Sequence, residues 1–217
     1  ALTLDMSAAG AATFNAGATF DGGVGIGIAN PSAYYADFSN LVLGNTSANS
    51  GMTVVSSTSS SGTIAFSDGT SGSDAYKGYI QYDHGANTLA FGSLATQRMV
   101  IDSSGRVTMP YQPAFSVTTT STQGNIANNS DVTVVLGTET FDVGANFASN
   151  TFTAPVTGKY QLNVHVRLDS IDTAAGYYYL KIKTSNRIYY SIIDPGGLSS
   201  DPLYWSLTNS ALADMDA

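Results

Sequence analysis

The residues of this 217-residue chain that could carry out chemistry are few. It has no cysteine, which excludes disulfides and thiolate metal ligands, and only two histidines, His84 and His165. A zinc site needs three or four convergent ligands, so we interpret His84 as a turn residue and His165 as an exposed or subunit-facing strand residue. Glycoside cleavage needs two carboxylates at a defined separation, and most aspartates stand among turn residues, where they cap the backbone. We predict no catalytic residue.

Aromatic residues are the best candidates for a binding surface. Alternate residues of a strand face opposite sides, so part of a dense aromatic run is exposed or lies at an interface, where aromatic rings contribute disproportionately to binding. We favour packing against other parts of the protein, and keep as the alternative the stacking of exposed rings on the sugars of a glycan. The candidates are Tyr177, Tyr178, Tyr179, Tyr189, Tyr190, Tyr204 and Trp205.

Residues 67–74, with the sequence SDGTSGSD, offer the oxygen ligands and the glycines of a calcium loop. Their spacing matches no EF-hand, and no acidic residue closes the loop. We therefore predict a flexible turn at this position rather than a metal site.

The composition favours β-structure and argues against several classes of function. Charged residues make up 11% of the chain, against about a quarter in a typical domain, and glutamate occurs once, at Glu139. The net charge of −8, without any cluster of lysine and arginine, argues against binding to nucleic acid. No run of about 18 apolar residues could span a membrane, and no basic segment typical of a secretory signal stands at the start.

The best-defined predicted strand begins after Pro155 and Gly158. From Tyr160 to Asp169 apolar and polar residues alternate, which predicts a strand with one buried and one wet face. Proline lacks an N–H group and therefore belongs at the entry to the strand. Further strands are predicted at 132–136, 177–184 and 187–193, with a tight turn at 185–186 and a strong turn at 194–197.

The first half of the chain predicts shorter strands. Residues 1–30 are rich in alanine and glycine, and glycine alternates with Val24, Ile26 and Ile28, a pattern that is plausible where several backbones crowd around an axis. Gly105 supplies the positive-φ position of a hairpin, and two prolines at 110–113 mark a boundary. The predicted short strands lie at 41–43, 52–55, 63–66, 79–82, 88–91, 99–101 and 106–109.

Two strings in the second half carry a resemblance to a known family. FDVGANF at 141–147 and NTFTAPVTGKYQLNVHVRL at 150–168 resemble the middle of a C1q-like domain, a compact trimeric jelly roll related to the tumour necrosis factor fold. PAFSV at 113–117 resembles the family's first strand, and 207–216 is similar to the approach to one of its last strands.

The C1q-like resemblance has three implications. Members of the family sometimes bind calcium near the trimer apex, which makes Asp169, Asp172 and Asp201 calcium candidates. Aromatic residues would pack in the core and between subunits. Because further strands follow this point in the family, one of them central to the inner sheet, we expect the strand from Tyr160 to show an unpaired edge. For the same reason we expect either that the natural chain continues past Ala217 with a Gly-Asp turn and an apolar strand, or that this segment is ordered only in part.

The first half resembles a second group of proteins. GVGIGIANPS at 23–32, with GTIAFSDG, GYIQYDHGANTLAFGS and RMVIDSSGRV further on, is similar to the shaft and neck regions of bacteriophage tail-fibre and tail-associated proteins. The resemblance implies homotrimers of intertwined β-strands.

Together these observations predict an all-β chain with a trimeric β-rich shaft and an incomplete C1q-like jelly-roll knob. We expect a neck segment at 1–37, a short-strand shaft at 38–110 and the knob at 111–217. The predicted function is that of a homotrimeric, extracellular virion fibre that attaches to a host receptor or glycan, with other virion proteins as partners and without nucleic acid, membrane insertion or cofactor. The alternatives are a capsid or neck decoration fibre, a bacterial extracellular adhesin and a polysaccharide depolymerase.

Overall fold

A computed structural model describes residues 23–217 of the chain, except residues 29, 35, 39 and 128. It confirms the all-β prediction, because the described residues form fifteen strands and four short 3-10 helices. No helix among them is long and apolar enough to cross a membrane. Residues 1–22 of the alanine- and glycine-rich segment lie outside the described part.

The chain divides into two compact units. The first contains residues 1–96 and 101–105, and the second contains residues 97–100 and 106–217. The 3-10 helices lie at Pro31–Ala33, Ala36–Phe38, Gly72–Tyr76 and Pro195–Gly197.

Short strands dominate the first part of the chain. β1 and β2 pair in parallel, and β3 to β7 follow one another in chain order in a five-stranded sheet, with antiparallel pairing from β3 to β5. The strands are β1 (Val24–Ile26), β2 (Leu41–Leu43), β3 (Ser61–Phe66), β4 (Gly78–Asp83), β5 (Thr88–Ser93), β6 (Thr96–Ile101) and β7 (Val107–Thr108).

Two tight turns join these strands in different ways. The turn after β6 follows the prediction, since Gly105 has φ +79° and its N–H donates to the Asp102 carbonyl at 2.9 Å. The turn after β5 uses Leu94 and Ala95, both with φ 53°, in the left-handed region that residues with a side chain rarely adopt.

Besides β7 and part of β6, the second unit contains four two-stranded ribbons. β8 pairs with β9, β10 with β11, β12 with β15 and β13 with β14, all antiparallel. These strands are β8 (Ala114–Thr118), β9 (Thr138–Val143), β10 (Phe147–Ala148), β11 (Thr151–Phe152), β12 (Gly158–Asp169), β13 (Tyr178–Lys183), β14 (Ile188–Ile193) and β15 (Tyr204–Met215).

The long ribbon of β12 and β15 bears out the predicted alternation. Every second residue of β12 is exposed, and the residues between them are half-buried. β15 covers one edge of β12 over all twelve residues, and no described strand pairs with the other edge, so the expected unpaired edge is present.

The core of the second unit lies between this ribbon and the β13–β14 hairpin. Asn209 of β15 is 6% exposed, and its Nδ2 donates to the carbonyls of Leu180 at 3.2 Å and Tyr189 at 2.7 Å, one on each strand of the hairpin. The buried apolar residues of this unit are Ala154, Ile171, Leu180, Leu207, Ala211 and Ala213.

A cluster of four aromatic rings ties the other ribbons to the start of β12. Phe115 stacks on Phe147 with a centroid distance of 5.1 Å and on Phe152 at 4.8 Å. Phe152 in turn meets Tyr160 edge-on at 5.4 Å. The FTAP segment therefore brings β8, β10 and β11 against the first residues of β12 through offset and edge contacts that aromatic rings prefer.

Two strand predictions are wrong. Residues 132–136 form no strand, because amide side chains take the place of a neighbouring strand: Gln123 accepts from the Val135 N–H at 2.9 Å, and Asn150 accepts from the Leu136 N–H at 2.7 Å. Residues 52–55 are also irregular and exposed, and Val54 lies against Gly62 of β3 from above the sheet instead of pairing beside it.

Candidate binding surface

The β13–β14 hairpin owes its shape to a short polar turn. Thr184 closes it twice, since its N–H donates to the Arg187 carbonyl at 2.9 Å and its hydroxyl accepts from the Arg187 N–H at 3.0 Å. The predicted tight turn at 185–186 is therefore present. On the other side of β14, Asp194 caps the 3-10 helix Pro195–Gly197 by accepting from the Gly196 N–H at 2.9 Å.

The alternation of residues decides which side of the hairpin is exposed. Leu180 is buried towards β15, so its neighbours Tyr179 and Lys181 point to the opposite side. Cross-strand partners share a face, which adds the residues opposite Tyr179, Lys181 and Lys183. We name this side the outer hairpin face; it consists of Tyr177, Tyr179, Lys181, Lys183, Ile188, Tyr190 and Ile192.

Three tyrosine rings form a connected platform on the outer hairpin face. Tyr177 stacks on Tyr179 with centroids 5.8 Å apart and planes inclined by 22°, and Tyr190 meets Tyr179 edge-on at 5.6 Å and 86°. Tyr177 is 62% exposed and Tyr190 is 53% exposed. The platform thus combines mutual ring contacts with a large surface open to a partner.

Asp131 anchors this platform from outside the hairpin. Its carboxylate accepts a hydrogen bond from the Tyr179 hydroxyl and forms an ion pair with the Lys181 ammonium group. The bond to Asp131 raises the pKa of Tyr179 to about 12, and the bond from Lys181 lowers the pKa of Asp131. Tyr179 therefore stays neutral and oriented, and the Lys181 ammonium lies 5.9 Å from the centroid of its ring.

The chemistry of the outer hairpin face suits the binding of a carbohydrate. Stacked rings offer their faces to the apolar C–H faces of sugar rings, and tyrosine hydroxyl and lysine ammonium groups donate hydrogen bonds to sugar oxygens. Ile188 and Ile192 extend the apolar surface beside the rings, since both are exposed.

The structure separates the other predicted aromatic candidates from this platform. Tyr178 points inward, and its hydroxyl accepts from the Asp172 N–H at 3.1 Å. Tyr189 and Trp205 lie half-buried on the inner faces of their strands. Tyr204 is exposed, but it lies on the polar face of the β12–β15 ribbon, where the Arg167 guanidinium stands 4.9 Å from the centroid of its ring.

His165 belongs to the same polar face of the β12–β15 ribbon. It is exposed, as predicted, and its Nδ1 lies 3.0 Å from the Thr208 hydroxyl. Next to it, Gln161, Asn163 and Ser210 form a closed triangle of side-chain hydrogen bonds of 2.8 to 3.1 Å. Polar side chains on this face are therefore mostly bonded to one another.

The three calcium candidates each have a protein partner. Asp169 binds the Arg167 guanidinium at 2.8 Å, and Asp172 accepts from the Ala174 N–H at 2.8 Å. Asp201 accepts from both the N–H and the hydroxyl of Thr173, which lowers its pKa. No group of three or more histidine and acidic residues that could hold a metal occurs among the described residues. Calcium binding stays a prediction.

The segment at 67–74 contains more order than the predicted flexible turn. Its second half enters the 3-10 helix Gly72–Tyr76, and the Asp74 carbonyl accepts from the N–H groups of Asp68 and Gly69 at 3.0 and 3.2 Å. The Asp74 carboxylate faces Lys77 at 2.7 Å. Backbone bonds close this loop.

Sequence reasoning missed part of the outer hairpin face. Lys181 and Lys183 were detectable, because they follow Tyr179 at intervals of two in a predicted strand. Asp131 was not, because no local pattern links a residue of an irregular segment to a side chain 50 positions away.

Comparison with known proteins yields no relative from which a function could be transferred. No protein-family model matches the chain, and neither a curated protein nor a solved structure does. The functional argument therefore rests on the residues and geometry described above.

Proposed function

We propose that this chain is a structural virion fibre protein, homotrimeric and extracellular, that attaches to a host surface glycan by multivalent binding. The C1q-like and tail-fibre resemblances of the two halves support the fibre assignment. The outer hairpin face is the observation that carries the binding role.

The platform has the properties of a surface that recognises a partner. Tyr177 and Tyr190 keep more than half of their surface in water although each contacts the ring of Tyr179. Tyrosine is enriched where binding energy is concentrated, because its ring is large and rigid and its hydroxyl bonds to water or ligand. A ring pair that is fixed before binding loses little conformational entropy when a sugar stacks on it.

Multivalency converts a modest site into firm attachment. One platform per chain gives three per homotrimer, and a virion would carry several fibres. Once one site is bound, the others act at a high effective concentration, so the overall avidity exceeds the affinity of one site by orders of magnitude. The fibre would join the virion through other structural proteins, and attachment would require neither catalysis nor a cofactor.

The test is binding of the purified chain to an array of bacterial capsular, lipopolysaccharide and teichoic-acid glycans. We expect binding to a subset of these glycans, weakened roughly tenfold to a hundredfold by the double substitution Tyr177→Ala and Tyr190→Ala. Tyr204→Ala is the matched control, because this tyrosine is 57% exposed but lies outside the platform.

Each other outcome assigns the chain differently. Absence of binding to every glycan would contradict glycan attachment and favour a decoration fibre. Loss of binding in Tyr204→Ala alone would move the site to the polar ribbon face. Appearance of reducing ends during incubation would identify a depolymerase.

A further inference from the structure

We propose that the apolar face of the β3–β4–β5 sheet is the surface through which three copies of this chain associate. The inference rests on the homotrimer of the proposed function. It names the face through which the first units of the three chains contact one another. It arises from the way in which this sheet distributes its side chains between its two sides.

One face of the β3–β4–β5 sheet carries no charge. The register places Ile64 of β3 opposite Ile80 of β4, which lies opposite Phe91 of β5. The same side continues with Gly62, Tyr82 and Leu89 in one direction and with Phe66, Gly78 and Ser93 in the other. We name this side the apolar sheet face.

The opposite face of the sheet is partly covered within the chain. Gln81 donates to the Thr63 hydroxyl at 3.1 Å, and Ala90 beside it is 2% exposed. The Tyr79 ring lies directly over Gly92, so closely that a Cβ at this glycine would stand 2.1 Å from the ring. Only glycine allows the tyrosine to cover the strand in this way.

On the central strand β4, exposure is the reverse of what an isolated folded chain would favour. On β4, Ile80 and Tyr82 of the apolar sheet face are exposed, whereas Tyr79 and Gln81 of the other face are half-buried. At the end of β3, Phe66 is 60% exposed. Apolar side chains usually turn to the more buried side of a sheet, because their transfer out of water drives folding.

The exposed apolar surface on this side has the size of a functional patch. Val54, Ile64, Phe66, Ile80 and Tyr82 are all exposed on this side, and together they leave roughly 400 Å² of apolar surface in water, within the range of the largest patch on a typical monomer, which is often functional. Three such faces meeting on one axis would remove this surface from water in every copy.

Charge favours a second copy as the occupant. The chain has a net charge of −8, so two copies repel each other over most of their surfaces. The apolar sheet face lacks charged residues at all nine of its positions and is therefore a place where identical chains can approach without bringing like charges together. The apolar sheet face of a second copy offers an uncharged apolar surface against which this face can be buried.

The absence of native cysteine allows a direct test with single substitutions. Ile64→Cys places a thiol on the apolar sheet face, and Ala65→Cys places one on the opposite face of the same strand, where Ala65 is exposed. Light scattering gives the mass of the assembly, and maleimide labelling and oxidation report on the two thiols.

We expect a trimer in which Ile64→Cys reacts with maleimide at least about tenfold more slowly than Ala65→Cys, because labelling would require the assembly to open. Oxidation should link Ile64→Cys, but not Ala65→Cys, into covalent dimers. The substitution Ile80→Asp should dissociate the trimer, whereas Ala65→Asp should not, with circular dichroism reporting that both remain folded.

The outcomes separate this inference from the function on which it rests. A trimer in which both thiols react equally fast overturns the apolar sheet face alone and leaves the fibre intact. A chain that stays monomeric at every concentration overturns the homotrimer and this inference together. A monomer that shields Ile64→Cys shows that the chain covers its own face, which also overturns the inference.

Discussion

The β12–β15 ribbon and the β3–β4–β5 sheet follow the same rule of alternation and end in different situations. The ribbon turns its apolar residues towards the β13–β14 hairpin, where Leu207, Ala211 and Ala213 are buried. The sheet leaves Ile64, Phe66 and Ile80 exposed. A period of two thus decides that a strand has an apolar side. The next layer of the fold, or its absence among the described residues, decides whether that side is buried or exposed.

The contrast between buried and exposed apolar side chains should have its largest effect at two isoleucines of the second unit. Ile171→Ala should lower the free energy of unfolding by about 3 kcal/mol, because this side chain is 2% exposed and its removal leaves a cavity. Ile192→Ala is the control and should change it by less than about 0.5 kcal/mol, because Ile192 is 61% exposed. Urea denaturation measures the free energy of unfolding of both variants. Equal effects would mean that Ile171 does not lie in a tightly packed core.

The link between ribbon and hairpin should have the next largest effect. Asn209→Ala removes the amide that bonds to the carbonyls of Leu180 and Tyr189. It should cost about 2 kcal/mol, since both acceptors then lose a partner in a largely buried position. Asn163→Ala, on the exposed face of the same ribbon, should cost less than about 0.5 kcal/mol. A large effect of Asn163→Ala instead would mean that the hydrogen-bonded side chains on the exposed face of the ribbon stabilise the fold more than Asn209 does.

A turn of the first unit offers an effect of opposite sign. Ala95→Gly should stabilise the chain by about 1 kcal/mol, because glycine adopts the left-handed conformation without steric cost. Gly105→Ala should destabilise it by about the same amount for the same reason, since Gly105 has φ +79°. Thermal unfolding of both variants measures the effect, and a loss of stability in Ala95→Gly would mean that the alanine methyl group contributes packing.

The smallest expected effect concerns ionisation on the outer hairpin face. The pKa of Tyr179 is raised from 10.0 to about 12 by its bond to Asp131, so the folded value exceeds the unfolded one. The stabilisation is then complete below pH 10 and is lost as the pH rises towards 12.

The variant Asp131→Asn provides the test of this assignment. It should return the pKa of one tyrosine towards 10.0, visible as an increase in tyrosinate absorbance between pH 10 and 12. Asp142→Asn is a control, because Asp142 binds the N–H groups of Asn146 and Phe147 rather than a tyrosine. Identical titrations of Asp131→Asn and the unchanged chain would contradict the anchoring role of Asp131.

Prediction from the sequence succeeded where neighbouring residues contain the information. The strand from Tyr160 depends on periodicity, and the turns at Gly105 and at 194–197 depend on residues within a few positions of each other. It failed at residues 132–136, whose apolar composition is typical of a strand. There, the amide side chains of Gln123 and Asn150 accept hydrogen bonds from backbone N–H groups that a neighbouring strand would otherwise bind. No local sequence rule predicts that distant side chains will replace the hydrogen bonds of a neighbouring strand.

The sequence by itself therefore determined the all-β class, most of the strands and turns, and the chemical character of each strand face, because these follow from composition and from interactions over a few residues. Tertiary structure decided which faces are covered, which three of the seven aromatic candidates meet on one platform, and that Asp131 anchors them. The physical reason is that these contacts join residues tens of positions apart. Their geometry depends on how the layers pack, and no periodicity along the chain records it.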